Sequence, residues 1–166
     1  MKFRWATGLL GLLLFCAPLR ATAQAALPYK NVISANPFLI LFEWFNGEFE
    51  RTITTSSTMG VRASVIKFDD ARYVSGRAFY RYYPSGALTK FYLGVSGGVS
   101  SVDADGEDGA AVGALGFELG YNWLLGARQK LYVSLGVGAD RLFGLDVEGV
   151  AVAIPTLRVL NVGFAF

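Results

Sequence analysis

The sequence predicts an all-β protein: a closed, up-and-down antiparallel transmembrane barrel of about eight strands, preceded by a cleavable signal peptide. Three observations predict it. Apolar and polar residues alternate with period two in blocks of about ten residues. Clusters of turn-forming residues separate the blocks. The 166 residues include 20 Gly, 13 Phe, 8 Tyr and 3 Trp and are 53% hydrophobic, yet no uninterrupted apolar run reaches the ~18 residues a spanning helix needs.

The first element, 1–23, reads as a secretory signal. Lys2 and Arg4 give a positive start, Leu9 to Ala17 an apolar stretch, and Ala21-Thr22-Ala23 a small-residue site with cleavage before Gln24. An uncleaved anchor is the alternative, and the shortness of the apolar run speaks against it. Cys16, the single cysteine, follows Phe15 rather than the small residue a lipoprotein signal requires. The remaining 24–166 form one barrel domain without thiol chemistry. Losing Lys2, Arg4 and Arg20 takes the 15 basic residues to 12 against 13 acidic ones, with no basic cluster of the kind nucleic acid needs.

Strands are expected near 31–42, 48–53, 58–68, 73–83, 90–102, 111–124, 130–143 and 150–166. Asn46-Gly47 signals a two-residue hairpin between the first two. The Thr/Ser run 54–57, the stretch 69–72, 84–89 with its Pro-Ser-Gly start, the acidic 103–109, 126–129 and 144–147 make the other connections. Alternation is clearest in three blocks. Phe91, Leu93 and Val95 oppose Tyr92, Gly94 and Ser96. Leu115, Phe117 and Leu119 oppose Gly116, Glu118 and Gly120. Leu131, Val133 and Leu135 oppose Tyr132, Ser134 and Gly136. Pro155 lacks a ladder donor, so it belongs at a bulge or rim of the last strand.

The two faces differ in kind. One is Leu, Val, Phe, Tyr and Trp; the other is Gly, Ser and charge, with too few large apolar residues for a soluble core. The apolar set is therefore expected to face lipid. Glu48, Glu50, Arg62, Arg77, Arg81 and Glu118, with Asp140 beside them, fall on the polar side as a lumen charge network of mixed sign. Eight strands leave an interior just wide enough for side chains, so a packed polar core is expected. A gated narrow channel is the other reading. Trp44, Phe45, Tyr82, Tyr83, Tyr121 and Trp123 lie where interfacial aromatic girdles would sit. Arg158 has the parity of the lipid face, where it would meet lipid phosphate, unless a bulge near Pro155 changes the register.

The final run, in which Leu160, Val162, Phe164 and Phe166 alternate up to a terminal aromatic, resembles the C-terminal signal by which the outer-membrane assembly machinery recognises its barrels. Asn36-Pro37-Phe38 followed by Phe49-Glu50-Arg51 is similar to a pattern in small outer-membrane proteins of the DUF3575 and porin-like barrel families. The whole mature chain resembles the eight-stranded OmpA/OmpX-like barrels in pattern, not motif by motif. That resemblance implies an outer-membrane location, contact with lipid and lipopolysaccharide, and a monomer.

Chemistry is narrowed by what is missing. With no histidine, a Ser-His nucleophile is excluded. Without histidine or a mature cysteine, so is a typical zinc site. Glu48 and Glu50 could in principle form a carboxylate pair, and lumen charge explains them better. Asp103, Asp105, Glu107 and Asp108 lack EF-hand spacing and read as a solvated loop, with divalent ions bridging lipopolysaccharide as the alternative. The expectation is a non-enzymatic anchor or surface-interaction protein without cofactor. A narrow passive pore and a soluble periplasmic lipocalin-like carrier are the alternatives.

Overall fold

The computed structural model describes residues 29–67, 71–104, 111–143 and 153–166. The signal segment, the centre of the acidic loop and the 144–147 connection lie outside them. Eight strands are formed: β1 Asn31–Ala35, β2 Trp44–Thr54, β3 Ser57–Lys67, β4 Ala71–Tyr82, β5 Lys90–Ala104, β6 Val112–Leu125, β7 Leu131–Phe143 and β8 Ala153–Ala165. Each pairs antiparallel with the next. β1 pairs with β8 from Val32↔Ala165 to Ala35↔Val162, which closes the barrel. Closure leaves no edge whose backbone groups lack partners. The seam is extended by Phe166, whose carbonyl accepts from the backbone N–H of Lys30 at 3.2 Å and of Asn31 at 3.0 Å.

The first hairpin differs from expectation. Asn46 and Gly47 are paired inside β2, opposite Ser64 and Ala63, and no turn forms there. The chain leaves β1 earlier, at Asn36-Pro37, and makes a single 3-10 turn over Leu39–Phe42. The Asn36 side-chain oxygen accepts from the N–H groups of Phe38 at 3.0 Å and Leu39 at 3.1 Å. Asn46 Oδ1 accepts from the Asn36 N–H at 2.8 Å. The side chain that suggested a tight turn thus braces a longer one.

At the opposite end, here the turn end, the connections are short and closed. The 83–89 segment folds across the barrel mouth. Tyr83 N–H donates to the Ser56 carbonyl at 2.7 Å, and Ala87 N–H to that of Thr55 at 2.9 Å. This places Leu88, at φ +66°, fully inside against Val32, Tyr132 and Ala165. The small apolar cluster seals that end.

A bulge reverses parity in β8. Ser134 stands opposite Asn161 but Gly136 opposite Arg158, so β8 carries one extra residue there, and Leu160 adopts φ +47°. One inserted residue exchanges the two faces of everything before it. Arg158 is therefore buried inside, not on the outer face. Pro155 is paired opposite Ala139 and faces outward; the irregularity sits three to five residues beyond it.

Candidate functional site

Alternation sends the apolar set outward. Ile33, Phe49, Val61, Leu115, Phe117, Leu131 and Val137 are all exposed, between 38% and 59%. The same period sends Glu48, Glu50, Arg62, Arg77, Arg81 and Glu118 into the lumen, from β2, β3, β4 and β6. A group of ionised side chains in such an interior is tolerable only if each has partners.

Arg81 is the hub. Its side chain is inaccessible to solvent and touches three carboxylates: Glu48 at 2.7 Å, Glu50 at 2.6 Å and Glu118 at 2.5 Å. Arg62 spans Glu48 at 3.0 Å and Glu118 at 2.7 Å. Arg158, from the reversed part of β8, completes the set by pairing with Glu48 and donating to Ser134 Oγ at 2.7 Å. Three guanidiniums thus meet three carboxylates. Two aromatic rings pack on the hub: Phe79 at 4.0 Å and Tyr92 at 4.9 Å from the Arg81 guanidinium carbon. Such cation–π contacts give the hub a firm side as well as a charged one.

Glu50 lies nearest the turn end and is held mostly by hydroxyls. Thr58 donates at 2.5 Å, Tyr83 at 2.6 Å and Tyr132 at 3.3 Å. Tyr83 sits in the connection beyond β4; burial first, and then the Glu50 charge, push its hydroxyl well above the ordinary tyrosine value, so it remains a donor. Asn122 in turn donates to Tyr83 at 2.8 Å. Arg77 and Asp140 form a separate pair at 2.5 Å on the loop-end side of the hub.

Space for these long side chains comes from glycines on the same face. A Cβ on Gly94 would stand 2.7 Å from Glu118 Cγ, and one on Gly136 2.7 Å from the Tyr92 hydroxyl. The residues that sequence reasoning did not assign here are Arg158, Phe79, Tyr92, Tyr132, Tyr83, Thr58 and Asn122. Tyr92 and Tyr132 share parity with the glycine and serine positions of β5 and β7, a signal present in the alternation. The place of Arg158 depends on the bulge, which Pro155 hinted at and whose position between Arg158 and Asn161 is set by the pairing with β7.

Two of the expected girdle aromatics are inside. Trp44 donates its indole N–H to Ser64 Oγ at 2.7 Å and lines the lumen, and Tyr83 is fully buried. Phe45, Tyr82, Tyr121 and Trp123 are exposed, the last two with ring centroids 4.6 Å apart. Of the C-terminal run, Phe164 and Phe166 are exposed, Val162 is half-buried opposite Val133, and Leu160 occupies the bulge.

Fold and lumen together define a small closed eight-stranded antiparallel barrel, apolar outside and ion-paired inside. The family model described as "Protein of unknown function (DUF3575)" matches residues 9–143, and the chain belongs to that family. Among solved structures it is similar to the N-terminal β-barrel domain of Pseudomonas aeruginosa OprF, with 15% identity and a TM-score of 0.45 over 82% of this chain and 94% of that one. No curated protein matches the sequence.

Proposed function

We propose that the chain is a non-enzymatic protein of the bacterial outer membrane, whose barrel spans the bilayer as an anchor and whose lumen is filled by its own side chains. One observation carries the reading. Among strand residues whose exposure is described, outward positions bear charge only near strand ends, at Arg51, Lys67, Arg72 and Arg141, while the positions between are apolar, glycine, alanine or aromatic. A charge at mid-membrane would cost about 2–4 kcal/mol, so a belt free of charge is what hydrocarbon demands and water does not. Strands β2 to β8 run for 11 to 15 residues, enough for the roughly 9–11 of a spanning strand. An exterior of this kind speaks against the soluble lipocalin-like carrier.

Lipid and lipopolysaccharide are then the standing partners, with the assembly machinery acting during biogenesis and a monomer as the working state. The test is fractionation of the envelope with comparison of boiled and unboiled electrophoretic mobility. Outer-membrane recovery and faster migration unboiled are expected. Release by carbonate would overturn the reading.

The passive pore is a second reading, favoured by an open cavity in the loop-end half of the lumen (about 370 Å³). The buried Glu50, Tyr83 and Tyr132 contacts at the turn end argue for blockage. Planar-bilayer recording separates the two: the filled lumen carries no steady current.

A further inference from the structure

The cavity of about 370 Å³ lies between the ion-pair hub and the loop end. It is blind, because the hub and the Leu88 seal close the turn end. Its walls are sorted by character. Trp44, Ile66 and Leu142 line the outer part, near the ends of their strands, whereas Arg62, Arg158 and Asn161 line the floor. That volume falls at the low end of small-molecule sites, which combine an apolar wall with a few convergent polar groups.

Two polar atoms at the floor have no partner among the described residues: Arg158 Nε, a donor, and Asn161 Oδ1, an acceptor. Asn161 is 2% exposed and Arg158 7%. Buried polar atoms are ordinarily satisfied, so the floor calls for an occupant offering one acceptor and one donor. Water can do both, but water gains nothing from the Trp44, Ile66 and Leu142 wall. Arg158 has no carboxylate to itself: it pairs with Glu48, which Arg62 and Arg81 share, so a carboxylate accepting from its unpartnered Nε would make a charge-assisted bond. The cavity also approaches the apolar exterior. Gly136, Val137 and Arg158 border both it and an outer groove beside Leu119 and Tyr121, at the point where the β7–β8 ladder shifts register.

We propose that this cavity binds a small amphipathic hydroxycarboxylate. The carboxylate accepts from Arg158 Nε and lies beside Arg62. The hydroxyl donates to Asn161 Oδ1. The apolar tail lies against Trp44, Ile66 and Leu142. No bond is made or broken.

The test uses the ¹⁵N-labelled full barrel in lipid nanodiscs, titrated with 3-hydroxyoctanoate, octanoate and 1,3-octanediol. Saturable shifts of the Trp44 indole N–H and the Arg158 Nε–H are expected with the hydroxycarboxylate. Octanoate should bind at least about tenfold more weakly because it leaves Asn161 Oδ1 unmatched, and so should the diol, whose neutral hydroxyl replaces the charge-assisted acceptor at Arg158 Nε. Ile66→Trp fills the cavity and should abolish the shifts. Asn161→Leu should bring hydroxyoctanoate and octanoate to equal affinity, and it decides the matter should Ile66→Trp not fold. Absence of any saturable shift overturns the proposal, as do shifts that survive Ile66→Trp in the folded barrel or equal affinity for octanoate in the unaltered protein.

Discussion

Arg81 and Glu48 meet at two points inside the barrel: Nη1 lies 2.7 Å from one carboxylate oxygen and Nη2 3.0 Å from the other. Both side chains are essentially inaccessible, at 0% and 1%. This fork joins β4 to β2, the two strands that flank β3 and share no ladder with each other. The rest of the ion-pair cluster is arranged around it.

Replacing Arg81 by Met should therefore be among the costliest changes in the chain. It leaves Glu48, Glu50 and Glu118 without their common cation, and stranding buried charge in this way costs about 3–5 kcal/mol. Urea unfolding of the barrel in lipid, read by tryptophan fluorescence, measures it. A loss below about 1 kcal/mol would mean that the lumen is wet enough to solvate three carboxylates.

Arg77→Ala should cost less. Arg77 pairs with Asp140, whose side chain is 13% exposed and borders the cavity, where water can replace the lost partner. About 1 kcal/mol, the net worth of an ordinary hydrogen bond once water takes over the partner's place, is expected in the same unfolding measurement.

Gly136→Ala should collide with the Tyr92 hydroxyl, 2.7 Å from the new Cβ. Overpacking of this kind costs about 1–3 kcal/mol. Tyr92→Phe removes the colliding atom along with its 3.1 Å contact from Arg158. The double variant should thus be less destabilised than the two single changes added together. A strictly additive double-mutant cycle would show that the two residues do not touch.

On the outer face, Phe117→Arg should destabilise by about 2–4 kcal/mol at mid-belt, and Arg141→Ala, near the loop end, by less than about 0.5 kcal/mol, as is usual for exposed sites. Refolding yields into lipid vesicles give the comparison. If both changes were equally mild, the exterior would be facing water.

Leu88→Ala should open the turn-end seal. Leu88 is fully buried against Val32, Tyr132 and Ala165, so truncation should cost about 2–5 kcal/mol. Limited proteolysis within 83–89 should become faster, because that connection is anchored by Leu88 and by the backbone bonds to Thr55 and Ser56.

The strands from β3 to β7 were legible because each carries the period-two pattern on its own and is bounded by its own turn residues. Glu48, Glu50, Arg62, Arg77, Arg81 and Glu118 could be grouped on one side from parity alone. The first hairpin was misread for an equally local reason. Asn46-Gly47 has ideal hairpin chemistry, but both residues are paired with Ser64 and Ala63 of β3, and Asn46 also holds the Asn36 N–H, partners that lie outside the local sequence.

The amino-acid order by itself determined that this chain forms an antiparallel barrel, with about eight strands and the charges on one side of them, since alternation is a property of consecutive residues. Tertiary structure alone decided that Arg158 points inward, that Trp44 and Tyr83 leave the exterior, and that Arg81 becomes the hub of three carboxylates. A bulge is defined by the strand opposite, and a pairing across the lumen by the closure of the sheet. Neither exists until distant parts of the chain have met.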